Sequence, residues 1–347
     1  MDDLVEDLGR SPELFPYALD LPGDSVTFIR LKKSEFERAS FLDARLLTPQ
    51  TRHRALDWAR LEAAIEAAGL HEHCGFIFHI GHVGSTLLSR LIGTHDAVFS
   101  LREPAILRTF AQLDDERGAQ PRAWPHFGAR VGFGLKLLSR TFESRQLAVV
   151  KATSFVSELA PELLSRSSSP KAVLMFVSPE SYIATILGGP NSRQEAKLLA
   201  TNRLRRLHRR IGDEIWQLAD LTEGEVLALA WACEMSALAQ AAEPSARRRV
   251  CRVDFDRFLD DPAALLLSVL QHFDVPATAT EVEAILKGPD MRRYSKAPEH
   301  AYDAALRREV LNHARAMHAA EIRRGLAWLD RAAARFAPVR RALAFAQ

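Results

Sequence analysis

A short glycine-containing segment between an apolar run and an amphipathic run constrains this 347-residue chain more than any other feature. Residues 76–92 read FIFHIGHVGSTLLSRLI, in which the apolar run ends at Ile80, residues 81–85 form a turn, and leucines recur at helical spacing after Thr86. Two glycines let backbone N–H groups converge on an anion, and the helix that follows adds its unpaired N-terminal N–H groups. The segment therefore predicts a strand, a phosphate-binding loop and a helix.

Five short apolar runs, each followed by a longer helical segment, predict the fold around this loop. The runs cover residues 76–80, 97–101, 147–150, 172–177 and 250–255. Strands that alternate with helices are typical of a parallel sheet, because a parallel connection needs a crossover of about a dozen residues or more. We therefore expect an α/β protein with a P-loop NTPase-like three-layer fold, in which helices flank a mostly parallel central sheet.

The sequence divides into three predicted regions. Residues 1–70 are expected to form an N-terminal extension with a strand at 25–31 and a helix at 54–68, residues 71–305 the P-loop domain, and residues 306–347 a C-terminal helical flank. Within the P-loop domain, residues 191–242 have a long helical pattern. Asp261 and Pro262 mark the start of another helix, because proline is tolerated in a first turn and an acidic residue before it is a start signal.

Composition excludes several classes of protein. The 46 basic and 44 acidic residues nearly cancel, so the chain lacks the positive charge that non-specific nucleic-acid binding requires. Its three cysteines are too scattered for a disulfide framework or a zinc site. No secretory leader and no apolar run of about 18 residues is evident. These features predict a cytoplasmic protein with neither a nucleic-acid nor a membrane partner.

The loop departs from the Walker A pattern G-x-x-x-x-G-K-[ST]. Gly84 and Thr86 fit the pattern, but Ser85 stands at the lysine position and His79 at the first glycine position. The missing lysine argues against an ordinary ATPase or GTPase, because that lysine contacts the transferred phosphate.

The same segment resembles the 5′-phosphosulfate-binding loop of bacterial sulfotransferases, in which a basic residue, a small residue, Gly-Ser-Thr and Leu-Leu follow a strand. His82 falls on the basic position, where the family has Lys or Arg. Residues 250–262 (VCRVDFDRFLDDP) are similar to the family's late strand and the start of its next helix, so the resemblance covers about residues 75–300. It implies a P-loop fold that binds 3′-phosphoadenosine 5′-phosphosulfate (PAPS) without a Walker lysine. The implied loop ligands are Gly81, His82, Val83, Gly84, Ser85 and Thr86.

Three residues are candidates for the chemistry. The resemblance assigns the role of base to Glu103, which follows the second predicted strand, although a carboxylate before Pro104 is also typical of a helix start. His82 could donate a hydrogen bond from the loop, and Lys151, at the end of its strand, could point a cation into the same crevice. Solvent-facing positions are the alternatives for both, and a surface position is an equal alternative for Arg102.

The 3′-phosphate site is where the sequence departs from the family. Val177 stands where the family has arginine, and Thr185 where it has serine. Ser178, Ser181 and Thr185 could supply hydroxyls and Arg193 a charge, although Ser178 could instead cap the helix that begins at Pro179. Second-choice ligands are Arg292 and Arg293 in a late basic loop. The arginine-rich run at 203–210 (RLRRLHRR) is expected to be a solvated helix face.

These observations support one hypothesis and two alternatives. The chain is expected to transfer the sulfuryl group of PAPS to a hydroxyl or amine of a small-molecule or glycan acceptor, without a metal, because protein cations and amides can replace it. One alternative is an ATP-dependent phosphotransferase, with Thr86 and Asp254 as Mg²⁺ ligands. The other is a catalytically inactive protein that keeps the fold.

Overall fold

The computed structural model describes residues 2–119, 124, 126–243, 247–297 and 299–347. Its N-terminal region contains an antiparallel sheet of three strands. Its elements are α1 (Asp2–Arg10), β1 (Leu14–Asp20), β2 (Ser25–Arg30), α2 (Lys33–Arg38), β3 (His53–Asp57) and α3 (Trp58–Ala67). The strand predicted at 25–31 is confirmed. The helix predicted from residue 54 was wrong over its first four residues, which belong to β3. Two strands were missed, because the pairing of β1 shifts register next to Pro16 and β3 is mostly exposed.

Five parallel strands form the central sheet, as the alternating pattern predicted. They are β4 (Cys74–His79), β5 (Val98–Arg102), β6 (Leu147–Lys151), β7 (Ala172–Phe176) and β8 (Val250–Asp254). The order across the sheet is β5-β6-β4-β7-β8, with every neighbouring pair parallel. The chain leaves β4 toward one edge of the sheet and later crosses to the other side of β4. The carboxyl end of β4 therefore lies at a topological switch point, where open α/β sheets bind their ligands.

Helices cover the central sheet. They are α4 (Ser85–Gly93), α5 (Ala105–Ala119), α6 (Phe127–Leu138), α7 (Ala160–Leu164), α8 (Pro179–Leu187), α9 (Pro190–Ile211), α10 (Glu223–Ala241), α11 (Phe255–Asp260), α12 (Pro262–His272), α13 (Ala279–Lys287), α14 (Ala304–Met317), α15 (Ala319–Arg335) and α16 (Ala337–Phe345). Every residue of β4, β5 and β7 is buried, so both faces of the sheet are covered. The architecture is the predicted α/β P-loop-type fold, with a parallel sheet between two layers of helices.

Helix α10 is the central helix on one side of the sheet. Thr222 and Glu225 form a capping box at its start, which fixes where the helix begins. The buried indole of Trp231 donates to the carbonyl of Val177 at 3.0 Å, at the end of β7. Within the described chain, no helix is both long enough and apolar enough to cross a membrane.

The arginine-rich run in α9 is only partly a solvated face: Arg205 and Arg209 are exposed, as predicted, but the prediction was wrong for the other arginines. Arg203 and Arg206 are buried and pair with the buried Glu234 of α10, and Arg206 and Arg210 pair with Glu158. Burial pushes the pKa of Glu234 up, but Arg206 and Arg203 outweigh it, so the pKa is lowered and the carboxylate stays charged. The pairs with Glu234 therefore join α9 to α10 in the protein interior, and those with Glu158 join α9 to the segment before α7.

Replacing Glu234 with alanine is expected to lower the free energy of unfolding by about 3–5 kcal/mol, because it leaves two buried guanidinium groups without their common carboxylate. Urea unfolding of the two proteins measures the difference. Glu283→Ala is the control, since Glu283 forms an exposed pair with Lys287 and its loss should cost less than about 1 kcal/mol. Equal losses in both variants would contradict the expectation.

Candidate anion-binding cleft

The loop after β4 has left-handed backbone conformations, which favour glycine. Gly81 has φ 85°, His82 has φ 56°, and Gly84, the N-cap of α4, has φ 64°. A Cβ atom on Gly84 would lie 2.0 Å from the ring of Phe255, so side-chain volume and backbone conformation both require glycine there. His82 takes the same left-handed region at a steric cost, as residues at ligand-binding sites often do.

Most backbone N–H groups of the loop are free to bind a ligand. The Gly81 N–H donates to His79 Nδ1 at 3.0 Å, so this amide has an internal partner. Burial lowers the pKa of His79 well below its usual value, which fits a neutral ring that accepts this bond. Among the hydrogen bonds of the described residues, none uses the N–H groups of residues 82–87, and Leu88 is the first to bond back, to Gly84. Unpaired donors at a helix N-terminus are the arrangement that binds phosphate-like anions.

The loop lines a cleft of about 1130 Å³, a volume that includes its open mouth. Its other walls are Lys151, the turn between α8 and α9, Phe255 of α11, residues 290–291 and 293–296, and the first half of α14. Eight of the predicted site residues line it: His82, Val83, Gly84, Ser85, Thr86, Lys151, Thr185 and Arg293. The lining does not include six others: Gly81, Glu103, Ser178, Ser181, Arg193 and Arg292.

Lys151 is fully buried at the end of β6, so the water-facing alternative for this residue was wrong. Its ammonium group forms an ion pair with Glu103 and lies 5.6 Å from the centroid of the Phe41 ring. Burial lowers the pKa of Lys151 to about 8, and Glu103 opposes that shift. Glu103 has φ 54°, and its N–H donates to the Lys151 carbonyl at 2.6 Å. Lys151, which lines the cleft, is thus held against a carboxylate that lies behind the lining.

The N-terminal region fixes the turn that carries Glu103. Arg102 is buried, and its guanidinium donates to the carbonyls of Phe36, Glu37 and Ala39. The Leu42 N–H donates to the Arg102 carbonyl at 2.7 Å. The surface alternative for Arg102 was therefore wrong, and residues 36–42 hold the polypeptide around the proposed base.

Glu195 of α9 is a neighbour of the loop that the sequence did not reveal. Its Oε2 lies 3.5 Å from His82 Nε2. The contact with His82 is the main reason why the pKa of Glu195 is lowered to about 2, with Lys296 and Arg203 contributing. The carboxylate is therefore ionised at neutral pH, beside the imidazole of His82.

The side chains near the carboxyl end of β7 have other partners. Ser178 accepts from the Ser181 N–H at 3.2 Å, as the N-cap alternative predicted, and Ser181 Oγ accepts from Arg315 at 3.2 Å. The Thr185 hydroxyl donates to the Ser181 carbonyl at 2.6 Å, although its side chain lines the cleft. The hydroxyls proposed for the 3′-phosphate thus already have hydrogen-bond partners within the protein.

Two of the predicted arginines are engaged elsewhere. Arg193 forms a two-point ion pair with Glu223, with N–O distances of 2.9 and 2.5 Å. Arg292 donates to the Lys287 carbonyl at 3.2 Å. Arg293 lines the cleft, and so does Arg307 of α14, a buried residue that sequence reasoning missed because the run LRREV has no motif of its own.

The Mg²⁺ ligands suggested for a phosphotransferase are not assembled. Asp254 caps α11 by accepting from the N–H groups of Asp256 and Arg257 at 2.8 and 3.4 Å, and it does not line the cleft. Within the described ranges, no group of three His, Cys, Asp or Glu side chains is arranged to hold a metal ion.

Comparisons with known proteins give only structural neighbours. No protein-family model matches the chain, and no curated protein matches it. Among solved structures, the chain is similar to a sulfotransferase domain from the curacin biosynthetic pathway, at 13% identity and a TM-score of 0.42, over 72% of this chain and 98% of that one. A sulfotransferase from Mycobacterium avium matches at 12% identity and a TM-score of 0.38, over 91% of this chain and 96% of that one. A sulfotransferase from Alicyclobacillus acidocaldarius matches at 14% identity and a TM-score of 0.34, over 74% of this chain and 98% of that one.

Proposed function

We propose that this protein is a sulfotransferase that transfers a sulfuryl group from PAPS to a hydroxyl or amine of a small-molecule or glycan acceptor. The observation that carries the proposal is the row of unpaired N–H groups at residues 82–87, which lines a cleft beside the buried pair of Lys151 and Glu103. The loop sequence, which resembles that of sulfotransferases and lacks the Walker lysine, favours a sulfated donor over ATP.

The loop fits a phosphosulfate group in two respects. Thr86 Oγ1 is buried without a hydrogen-bond partner, and a buried hydroxyl in that state needs an acceptor such as an anionic oxygen. Gly84 takes the left-handed conformation that leads the loop into α4, whose first N–H groups have no partner among the described residues. In this proposal PAPS supplies a sulfuryl group attached to a phosphate, and the loop amides with Ser85 and Thr86 hold that end of the donor.

The remaining residues have distinct proposed tasks. Lys151 and His82 neutralise negative charge that develops on the phosphate, in a cleft where a fixed cation is worth more than in water. Glu103 accepts the proton of the acceptor on the carboxylate oxygen that Lys151 does not hold. Lys151 in turn holds Glu103 in place.

Thermal unfolding with candidate ligands tests the proposal. In the presence of EDTA, 3′-phosphoadenosine 5′-phosphate is expected to stabilise the protein by about 2.7 kcal/mol at one hundred times its Kd, which raises Tm by several degrees. ATP and GTP are expected to have a smaller effect. Stabilisation by ATP with Mg²⁺ and none by the bisphosphate would favour a phosphotransferase, and no effect of any nucleotide would favour an inactive protein.

A further inference from the structure

Arg307 is a buried cation in the wall of the cleft. It is 5% exposed, and its Nη2 donates to Asp256 Oδ1 at 2.9 Å. Its Nε is buried and has no hydrogen-bond partner. A buried guanidinium N–H without a partner costs free energy, so water or an anion must satisfy it. Because Arg307 also lines the cleft, an anion bound there could reach it.

Arg307 lies close to the phosphate loop through a shared aromatic ring. The guanidinium carbon is 4.8 Å from the centroid of the Phe255 ring, and the same ring packs against Gly84. One ring therefore separates the loop from the buried arginine. A ligand that places one anionic group on the loop could place a second one beside Arg307 if a group of about nucleoside size joins the two.

Charged side chains of both signs surround Arg307. Arg293 and Lys296 line the same cleft from residues 290–296, whereas Asp290, Asp303 and Asp256 are the nearby carboxylates. Asp256 takes one of the five N–H groups of the guanidinium. Burial raises the pKa of Tyr302, and Arg307 opposes that rise, so the Tyr302 hydroxyl lies near the guanidinium as a second polar group.

The alternative cation for a second anion, Arg315, lies outside the cleft and already has partners. Arg315 reaches the start of α8, but its Nε and Nη2 donate to Glu180 and Ser181, and Val177 has no charge to offer. Neither Arg315 nor Ser181 lines the cleft. Arg307 is therefore a cation that a ligand in the cleft can reach, whereas Arg315, on the same helix, is paired outside the cleft.

We propose that Arg307 binds a second anionic group of the nucleotide that the loop holds, namely a phosphate on the ribose 3′ position. This inference rests on the proposed function, because it assumes that a nucleotide occupies the cleft. In the sulfotransferases that the loop resembles, an arginine at the end of the equivalent strand has this task. Val177 stands at that position here, and Arg307 takes over the task from α14.

Calorimetric titration with two ligands tests the assignment. The probes are 3′-phosphoadenosine 5′-phosphate and adenosine 5′-phosphate, which differ only by the 3′-phosphate. The Arg307→Gln variant is expected to bind the bisphosphate about 10- to 100-fold more weakly than the parent, as for a lost hydrogen bond between charged groups. It is expected to bind the monophosphate as the parent does, which also shows that the variant is folded. Arg307→Lys should recover part of the loss.

Two matched variants complete the design. Arg308→Gln removes an exposed arginine next to Arg307 and should leave both affinities unchanged. Loss of bisphosphate selectivity in Arg315→Gln but not in Arg307→Gln would overturn the assignment and place the phosphate at α8. Equal weakening of both ligands in Arg307→Gln would also overturn it. If the parent protein bound neither ligand, the proposed function itself would fail, which separates the two cases.

Discussion

Replacing Glu103 with glutamine is expected to lower the rate of PAPS turnover by about 10²- to 10⁴-fold, the usual contribution of a positioned general base. The amide is close in size to the carboxylate but cannot accept the acceptor's proton. Release of 3′-phosphoadenosine 5′-phosphate from PAPS, in the presence of a panel of phenols, alcohols and amines, measures the rate.

The affinity for the bisphosphate product shows whether Glu103 acts as a base or only supports Lys151. Glu103 raises the pKa of Lys151 against the effect of burial, so its loss makes Lys151 more easily neutral and should weaken binding. We expect that weakening to be smaller than the loss of rate, because an anion on the loop itself favours the charged ammonium group. Glu283→Gln, which removes a carboxylate from an exposed lysine pair, should change neither quantity. A rate and an affinity that fall by the same factor would show that Glu103 acts through Lys151 alone.

Replacing Gly84 with alanine is expected to abolish nucleotide binding and to destabilise the protein. Its φ of 64° costs a non-glycine residue about 1–3 kcal/mol. The added Cβ would lie 2.0 Å from the Phe255 ring, and overpacking of this kind costs about 1–3 kcal/mol more. Relief of that clash must move the loop or Phe255, and either movement disturbs the N–H groups that face the anion.

Two other glycines provide a graded comparison. Gly81 also has a positive φ, but a Cβ there would meet nothing closer than Ser154 Oγ at 4.0 Å, so Gly81→Ala carries the conformational cost without the clash. Gly128 is an exposed residue in α6 with open space around it, so Gly128→Ala should be neutral or slightly stabilising. In urea unfolding and in bisphosphate titration, Gly84→Ala should lose most stability and affinity, Gly81→Ala less, and Gly128→Ala least. A Gly84→Ala protein that binds the bisphosphate normally would contradict the proposed loop.

The central sheet could be predicted from sequence because its strands are short, fully buried apolar runs bounded by turn residues. Each of the five predicted strands lies within two residues of the observed one. The N-terminal sheet was only partly predictable. Most of β3 is exposed, so it lacks the apolar pattern of a strand, and β1 is an apolar run with a proline, which argues against a strand.

The candidate site was predictable where its residues are local in sequence and unpredictable where distant helices supply them. The loop forms one continuous segment, and Lys151 and Glu103 follow parallel strands whose carboxyl ends meet at one edge. Glu195 and Arg307 reach the cleft from α9 and α14, through helix packing that no local pattern encodes. The arginine run of α9 was misassigned for the same reason, since its partners Glu158 and Glu234 come from other segments.

The contacts of Arg102 with residues 36–39 have a practical consequence for studies of shorter versions of the chain. A version that starts at residue 71 keeps the phosphate loop and all five parallel strands, yet it removes the three carbonyls that solvate this guanidinium inside the protein. Deprived of those acceptors, the side chain must leave its buried position for water, and the turn at Glu103 then loses its support. The N-terminal region thus supports the proposed base from outside the central sheet, and removing it should impair an activity whose residues lie on other elements.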